Sequence, residues 1–245
     1  KMLARPCGET FSSAGFVVSI LFIINSEDYD NESNTRSNGN APWQTIKPRP
    51  MPRTARTISH AGFYHVMMRG INRQQIFEDS DDCEFFADTL RRVAHPESES
   101  DRCCDIYAYA LMGNHFHLLV GTLGDTGIGE VVKRIAIPYA IHFNHRHGRD
   151  GHLFKERFRS EPCDSREYFI TLLRYIHQNP LKAGMVKRIE DYEFKSWHEY
   201  ITDVPPEQRI CNTSFALGMI DKESLVELVN EPLSDDVRCI EYEEE

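Results

Sequence analysis

The sequence predicts an α+β domain built on one antiparallel sheet with helices packed on one face. Three observations carry that prediction. Short β-type runs alternate with amphipathic segments in the order β-α-β-β-α-(β)-α. Two of the runs, DIYAYALM (105–112) and HFHLLVGT (115–122), are separated only by Gly113-Asn114, a hairpin-type turn. The composition is that of a globular chain, with 40% hydrophobic and 27% charged residues.

The chain has 245 residues, enough for one sizeable domain with extensions. Its longest apolar run, FVVSILFII (Phe16–Ile24), is far shorter than the roughly 20 residues of a membrane span. NSEDYDNESN follows that run without a small-residue cleavage site, so no secretion signal and no membrane association are expected. Residues 25–50 are rich in Asn, Ser, Asp and Pro and read as a linker. Residues 1–50 are therefore expected to be a poorly ordered or non-native extension, with Met51 a candidate start.

From Gly62 the pattern is that of a folded chain. FYHVMMRG (63–70) reads as a strand ending in Gly. Ser80-Asp81 offer an N-cap for a helix that turns Phe85, Phe86, Leu90 and Val93 inward. DIYAYALM is apolar on both faces. GEVVKRIAIPYAIHFNHRHG reads as a helix in which Pro138 should introduce a kink. Asp164, with Glu167 three residues on, should cap the helix SREYFITLLRYIHQN, which Pro180 should end. The last segment, 203–245, reads as an acidic C-terminal extension with some helix.

The net charge of −10 argues at first against a nucleic-acid partner. Its distribution reverses that reading. Residues 133–188 carry 12 Lys+Arg against 5 Asp+Glu, whereas residues 189–245 carry 4 against 16. A local basic surface, not the whole-chain charge, is what meets phosphate. The seven cysteines are odd in number and form no CxxC pair, which fits reduced thiols in a cytoplasmic protein.

Two stretches carry chemistry. Side chains alternate along a strand, so His115 and His117 share one face while Phe116, Leu118 and Val120 enter a core. Two imidazoles on one sheet face can converge on one cation. Alone, they could equally be surface residues. In the helix at 165–179, Phe169, Leu172, Leu173 and Ile176 form an apolar stripe, and Tyr175 and Asn179 stack four apart at its edge. Asn179 offers a carbonyl oxygen suited to a hard cation such as Mg²⁺ or Mn²⁺. Tyr175 offers a phenol oxygen able to attack phosphorus. Alone, Tyr175 could be a core-edge tyrosine and Asn179 a helix-end residue.

Taken together, HFH (115–117), LMGNHFHLL, YIHQNP (175–180), YHVMMRGINRQQIF (64–77) and GHLFKERFRSEP (151–162) resemble the REP-associated tyrosine transposases. These are single-tyrosine transposases of bacterial insertion sequences marked by a His, hydrophobic residue, His motif. The resemblance covers roughly residues 51–202. It implies a ferredoxin-like sheet with the HFH strand central. It implies metal-dependent cleavage and joining of single-stranded or hairpin DNA through a 5′-phosphotyrosine. It makes Tyr175 the nucleophile and His115, His117 and Asn179 the metal ligands, with Mg²⁺ or Mn²⁺ the cofactor. Relatives act alone or as homodimers.

The basic middle supplies candidate DNA contacts. Lys155, Arg157 and Arg159 alternate with Phe154, Glu156 and Phe158, which either stack on unpaired bases or anchor a core. Lys133 and Arg134, with Arg146 and Arg149, could follow a DNA backbone or solvate a helix. Arg69 and Arg73 flank Gly70 and are further candidates. His177 points away from Tyr175 on an ideal helix and reads as structural or as a DNA contact. The competing function class is a hairpin-specific DNA-binding protein without turnover; a weaker alternative is a phosphodiesterase that uses metal-bound water.

Overall fold

The structure is a computed structural model that describes residues 56–155 and 157–231. The expectation for residues 1–50 lies outside the described residues. Four strands form one antiparallel sheet in the order β2-β3-β1-β4. They are β1 (Phe63–Arg69), β2 (Cys104–Met112), β3 (His115–Thr122) and β4 (Arg159–Cys163). Helix α1 (Ser80–Ala94) joins β1 to β2, and α2 (Ile128–Arg146) joins β3 to β4. That succession, with the HFH strand β3 central, is the ferredoxin-like arrangement.

The first two helices cover one face, as expected. Phe116, Leu118 and Val120 of β3 meet Phe86 and Leu90 of α1 and Val131, Ile135 and Tyr139 of α2. Phe86 and Leu90 are fully buried; Phe85 and Val93 only border this cluster. The cap of α1 is Asp79, one residue before the predicted pair, whose side chain accepts from the Asp82 amide.

Helices cover the second face too, which corrects the expectation of a one-sided layer. Every residue of β2 is buried, so DIYAYALM cannot leave either side to water. Tyr107, Ala108 and Ala110 of β2 and Leu119 of β3 pack against Phe169, Leu172, Leu173 and Ile176 of helix α3 (Arg166–Lys182). Ser165, not Asp164, caps α3 by accepting from the Tyr168 amide. Asp164 instead accepts from the Ser59 hydroxyl and the Ala61 amide, tying the entry to β1 beside the exit of β4. Pro180 does not end α3. Its ring removes one N–H and crowds the carbonyl a turn back, yet the next turn still closes, with Ala183 N donating to Asn179 O and Met185 N to Pro180 O. The chain leaves at Gly184 in the left-handed region, φ +68°. Asn179 is thus inside the helix, one turn from its end. Helix α2 likewise continues through Pro138.

The C-terminal segment closes the exposed edge of β2. Leu111 N donates to Phe194 O, Ser196 N to Tyr109 O and Asn212 N to Ile106 O. Helices α4 (Trp197–Ile201), α5 (Thr213–Leu217) and α6 (Lys222–Asn230) complete the second layer, with Trp197, Tyr200, Leu225 and Val229 in its core. Among the described residues, no helix is long and apolar enough to cross a membrane.

Candidate active site

The site forms where α3 lies on the face of β3 and β1. Antiparallel pairing sets the rows across that face. His115 is opposite Arg69, His117 opposite Met67, and Leu119 opposite His65. On the far side of β1, Met67 is opposite Arg159 and His65 opposite Glu161. Partners in a row share a face. His65, His115, His117, Arg69, Arg159 and Glu161 therefore stand on one side of the sheet.

The two HFH rings have centroids 5.0 Å apart and are inclined at 83°. Each already has its Nδ1 engaged. His115 Nδ1 lies 2.6 Å from Asn114 Oδ1, and His117 Nδ1 lies 2.9 Å from His65 Nε2. The Nε2 atoms of both rings are left for a further partner. Burial, then the positive charge of Arg69, holds His115 down at about 4. His117 is held well below the usual histidine value by burial, then by His65 and His115. Burial alone holds His65 down at about 3. All three present neutral rings at pH 7, the form that donates a lone pair.

Tyr175 closes the site from above. It is 1% exposed, and its ring stands edge-on to His117 and His65 at centroid distances of 5.7 and 5.8 Å. The Lys182 ammonium lies 5.4 Å from the centroid of the same ring. Asn179 follows one turn on from Tyr175 and is buried, with its Nδ2 lacking a hydrogen-bond partner. Because the two ends of an amide are assigned rather than seen, one end of Asn179 is unsatisfied. A buried amide end with no protein partner, one turn on from the tyrosine that packs on His117, suits a hard cation with mixed N and O ligands. Among the described residues, no group of three or more His, Cys, Asp and Glu could hold a metal, so a cation here depends on Asn179.

The other predicted residues divide. Arg69 ends β1 beside His115, and Lys155 N donates to Arg69 O, which brings the 154–155 segment alongside. Arg73 lies in the adjoining turn, where Asn72 and Arg73 adopt φ of +51° and +59°. Arg159 is exposed in the His117 row. Arg157 is half-buried between Lys155 and Arg159. Lys133 and Arg134 are not brought to the site. They ride on α2, on the opposite face of the sheet, where Arg134 pairs with Glu130 at 3.1 Å and donates to Asp101 O. Arg146 is absorbed by ion pairs to Asp79, Asp81 and Asp82, and Arg149 donates to Gln74. Phe154 and Phe158 are buried in the first cluster, which makes them core anchors rather than stacking platforms. They precede β4, so strand alternation does not govern them. His177 is structural: it is fully buried, with Nε2 2.8 Å from Ser196 Oγ.

His65, Asn114, Lys182 and Glu161 were missed. One signal for His65 lies in YHVMMRG, where His65, Met67 and Arg69 alternate onto the face opposite Tyr64, Val66 and Met68. Lys182 is seven residues from Tyr175, two helical turns on the same side.

Two solved structures are similar to the chain. One, titled as a REP-associated tyrosine transposase bound to a REP hairpin, is 20% identical with a TM-score of 0.49, over 66% of this chain and 93% of that one. The other, a protein of Deinococcus radiodurans R1 provisionally named a transposase, is 18% identical with a TM-score of 0.35, over 52% of this chain and 97% of that one. No curated protein matches significantly. The family model described as "Transposase IS200 like" matches residues 59–179, from the entry to β1 to the Asn179 of the site. Over those residues the chain is similar to the transposases of the IS200-like family.

Proposed function

We propose that this protein cleaves and rejoins single-stranded or hairpin DNA through a covalent bond to Tyr175. The observation that carries the reading is the edge-on contact of Tyr175 with His117, a ring of the HFH pair, at 5.7 Å. The Tyr175 phenol oxygen attacks a DNA phosphorus and the 3′-oxygen leaves. The phenol gives up its proton as the 3′-oxygen gains one, leaving a 5′-phosphotyrosine. A second 3′-OH reverses the step and joins the strands. Lys182, exposed and 5.4 Å from the ring, stabilises the phenolate that develops. His115, His117 and Asn179 would hold Mg²⁺ or Mn²⁺, which would supply charge neutralisation at the phosphate. Arg69, Arg73, Lys155, Arg157 and Arg159 form the adjoining backbone track, and Lys133 and Arg134 are not part of it.

Binding without turnover is the second reading. The burial of Tyr175 favours it, because a phosphate reaches a 1%-exposed phenol only after α3 or its cover shifts. One experiment separates the readings. Labelled single-stranded hairpins from the flanking sequence of the gene are incubated with protein in Mg²⁺, Mn²⁺ or EDTA and run on a denaturing gel. The expected result is an SDS-resistant adduct that requires the metal and is absent in Tyr175→Phe. An adduct that persists in Tyr175→Phe overturns the proposal. Cleavage without an adduct points to hydrolysis, and binding with neither points to a DNA-binding protein.

A further inference from the structure

The HFH pair has a supporting shell that its motif does not include. His65 comes from β1, fifty-two residues before His117, and is fully buried. Its ring lies nearly in the plane of the His117 ring, inclined by 17° with centroids 5.2 Å apart, and its Nε2 meets His117 Nδ1 edge to edge at 2.9 Å. Two ring nitrogens at that distance share one proton, and its position decides what His117 can do. If His65 Nε2 carries it, His117 must hold its own proton on Nε2, and that nitrogen has no lone pair for a cation. If His117 Nδ1 carries it, Nε2 is free.

Two further observations select the second arrangement. His115, the companion ligand, has its Nδ1 against a carbonyl-type acceptor, Asn114 Oδ1, at 2.6 Å, so its proton lies on Nδ1. With His65 Nε2 accepting, the proton of His65 must sit on its own Nδ1, a buried atom that lacks a hydrogen-bond partner. The residue directly opposite His65 on β4 is Glu161, on the same face. Glu161 Oε2 is also buried and also lacks a partner. A buried donor without an acceptor and a buried acceptor without a donor therefore occupy paired positions, where Cβ atoms stand about 5 Å apart. Each orphan is costly to leave unmade.

We infer that Glu161, His65 and His117 form a relay in which His117 Nδ1–H donates to His65 Nε2 and, with a turn of the Glu161 side chain in its facing position, His65 Nδ1–H donates to Glu161. His65 and Glu161 are positioning residues. They fix the tautomer and the ring plane of His117 so that Nε2 faces the cation site. This inference deepens the proposed function and rests on its assignment of His117 as a ligand. The relay differs from a carboxylate–histidine–metal triad in having an imidazole between carboxylate and ligand, joined to the ligand ring edge to edge in nearly one plane.

The test is made on the full-length, metal-free protein labelled with ¹⁵N-histidine. Long-range ¹H–¹⁵N spectra report which nitrogen of each ring carries the proton. The expected result is Nδ1–H for both His117 and His65. A proton on Nε2 of His117 overturns the inference. Mn²⁺ binding, read by electron paramagnetic resonance, is the second measurement. His65→Phe keeps a ring in the same place but removes the acceptor and should weaken Mn²⁺ binding about 10–100-fold, whereas His65→Gln, with an acceptor oxygen, should restore much of it. Mn²⁺ affinity in a folded His65→Phe within twofold of the parent overturns it. Should His65→Phe fail to fold, Glu161→Leu serves. Its expected effect is a mixed tautomer at His65 and weaker Mn²⁺ binding, and no change in either removes Glu161 from the relay. Wild-type protein with both Nδ1–H tautomers but no Mn²⁺ binding supports the relay and overturns the metal reading instead.

Discussion

Ser196→Ala tests how the tyrosine helix is held on the sheet. Ser196 is fully buried, and its hydroxyl serves two masters. It accepts from the Tyr109 amide of β2 at 2.9 Å and lies 2.8 Å from His177 Nε2 on α3. His177 sits two residues from both Tyr175 and Asn179, so this hydroxyl links the edge strand directly to the site-bearing turn. Alanine leaves two buried groups unmade, the Tyr109 N–H and one His177 nitrogen. Each costs about 1–3 kcal/mol, so the substitution should cost about 2–6 kcal/mol. At roughly 2–4 °C per kcal/mol for a domain of this size, the melting temperature should fall by about 4–24 °C. The assay is urea or thermal unfolding followed by circular dichroism. A double-mutant cycle with His177→Phe isolates the link, since replacing both partners should cost less than the two single changes added together. A loss below about 0.5 kcal/mol, the size of a change at a featureless surface position, would refute the reasoning.

Arg146→Ala should destabilise the fold, because it removes the main charge partner of Asp82, a fully buried carboxylate. The same change should move acid unfolding to higher pH. Arg146, through its hydrogen bond, holds Asp79 down at about 2, so the stabilisation by Asp79 is present above the ordinary value of 3.8 and lost as pH falls through 2. Unfolding curves from pH 6 to 2 read both effects. Gly70→Ala should weaken DNA binding and stability together, since the new Cβ would meet Gln74 O at 2.4 Å and Ile76 Cγ2 at 2.8 Å in the turn that carries Arg73. A DNA affinity equal to wild type would show that this turn does not position the contacts. Lys182→Met should slow adduct formation about two- to fivefold, the worth of an exposed cation beside an aromatic ring. Its melting temperature should be unchanged because Lys182 is exposed; a quench-time series on the denaturing gel measures the rate.

Local patterns in the sequence were enough to find the histidine strand and the tyrosine helix, and not enough to find what supports them. In β3 the alternation is clean: Phe116, Leu118 and Val120 enter one core and His115, His117 and Leu119 face the other. In α3 the apolar stripe fixes which side meets the sheet, and so fixes Tyr175 and Asn179 at its border. His65 was out of reach because its meaning depends on the register of β1 against β3, a long-range pairing that no local pattern encodes. The same holds for Glu161, which acquires its neighbour only through the register of β1 against β4. Period-2 alternation was misapplied to Phe154 and Phe158, where the chain is not yet a strand and the rings simply bury themselves.

The second face of the sheet was the larger omission, and its cause is also physical. Ala108, Ala110 and Leu119 make that face too apolar for water, yet the histidines and Arg69 make it too polar for an ordinary core. Only a helix with a mixed border satisfies both parts. Helix α3 buries Phe169, Leu172, Leu173 and Ile176 over the apolar part and sets Tyr175 over the histidines. Covering the sheet and delivering the tyrosine are therefore one packing event. It follows that variants which loosen α3 should lose stability and DNA chemistry in proportion, whereas Tyr175→Phe should lose the chemistry alone.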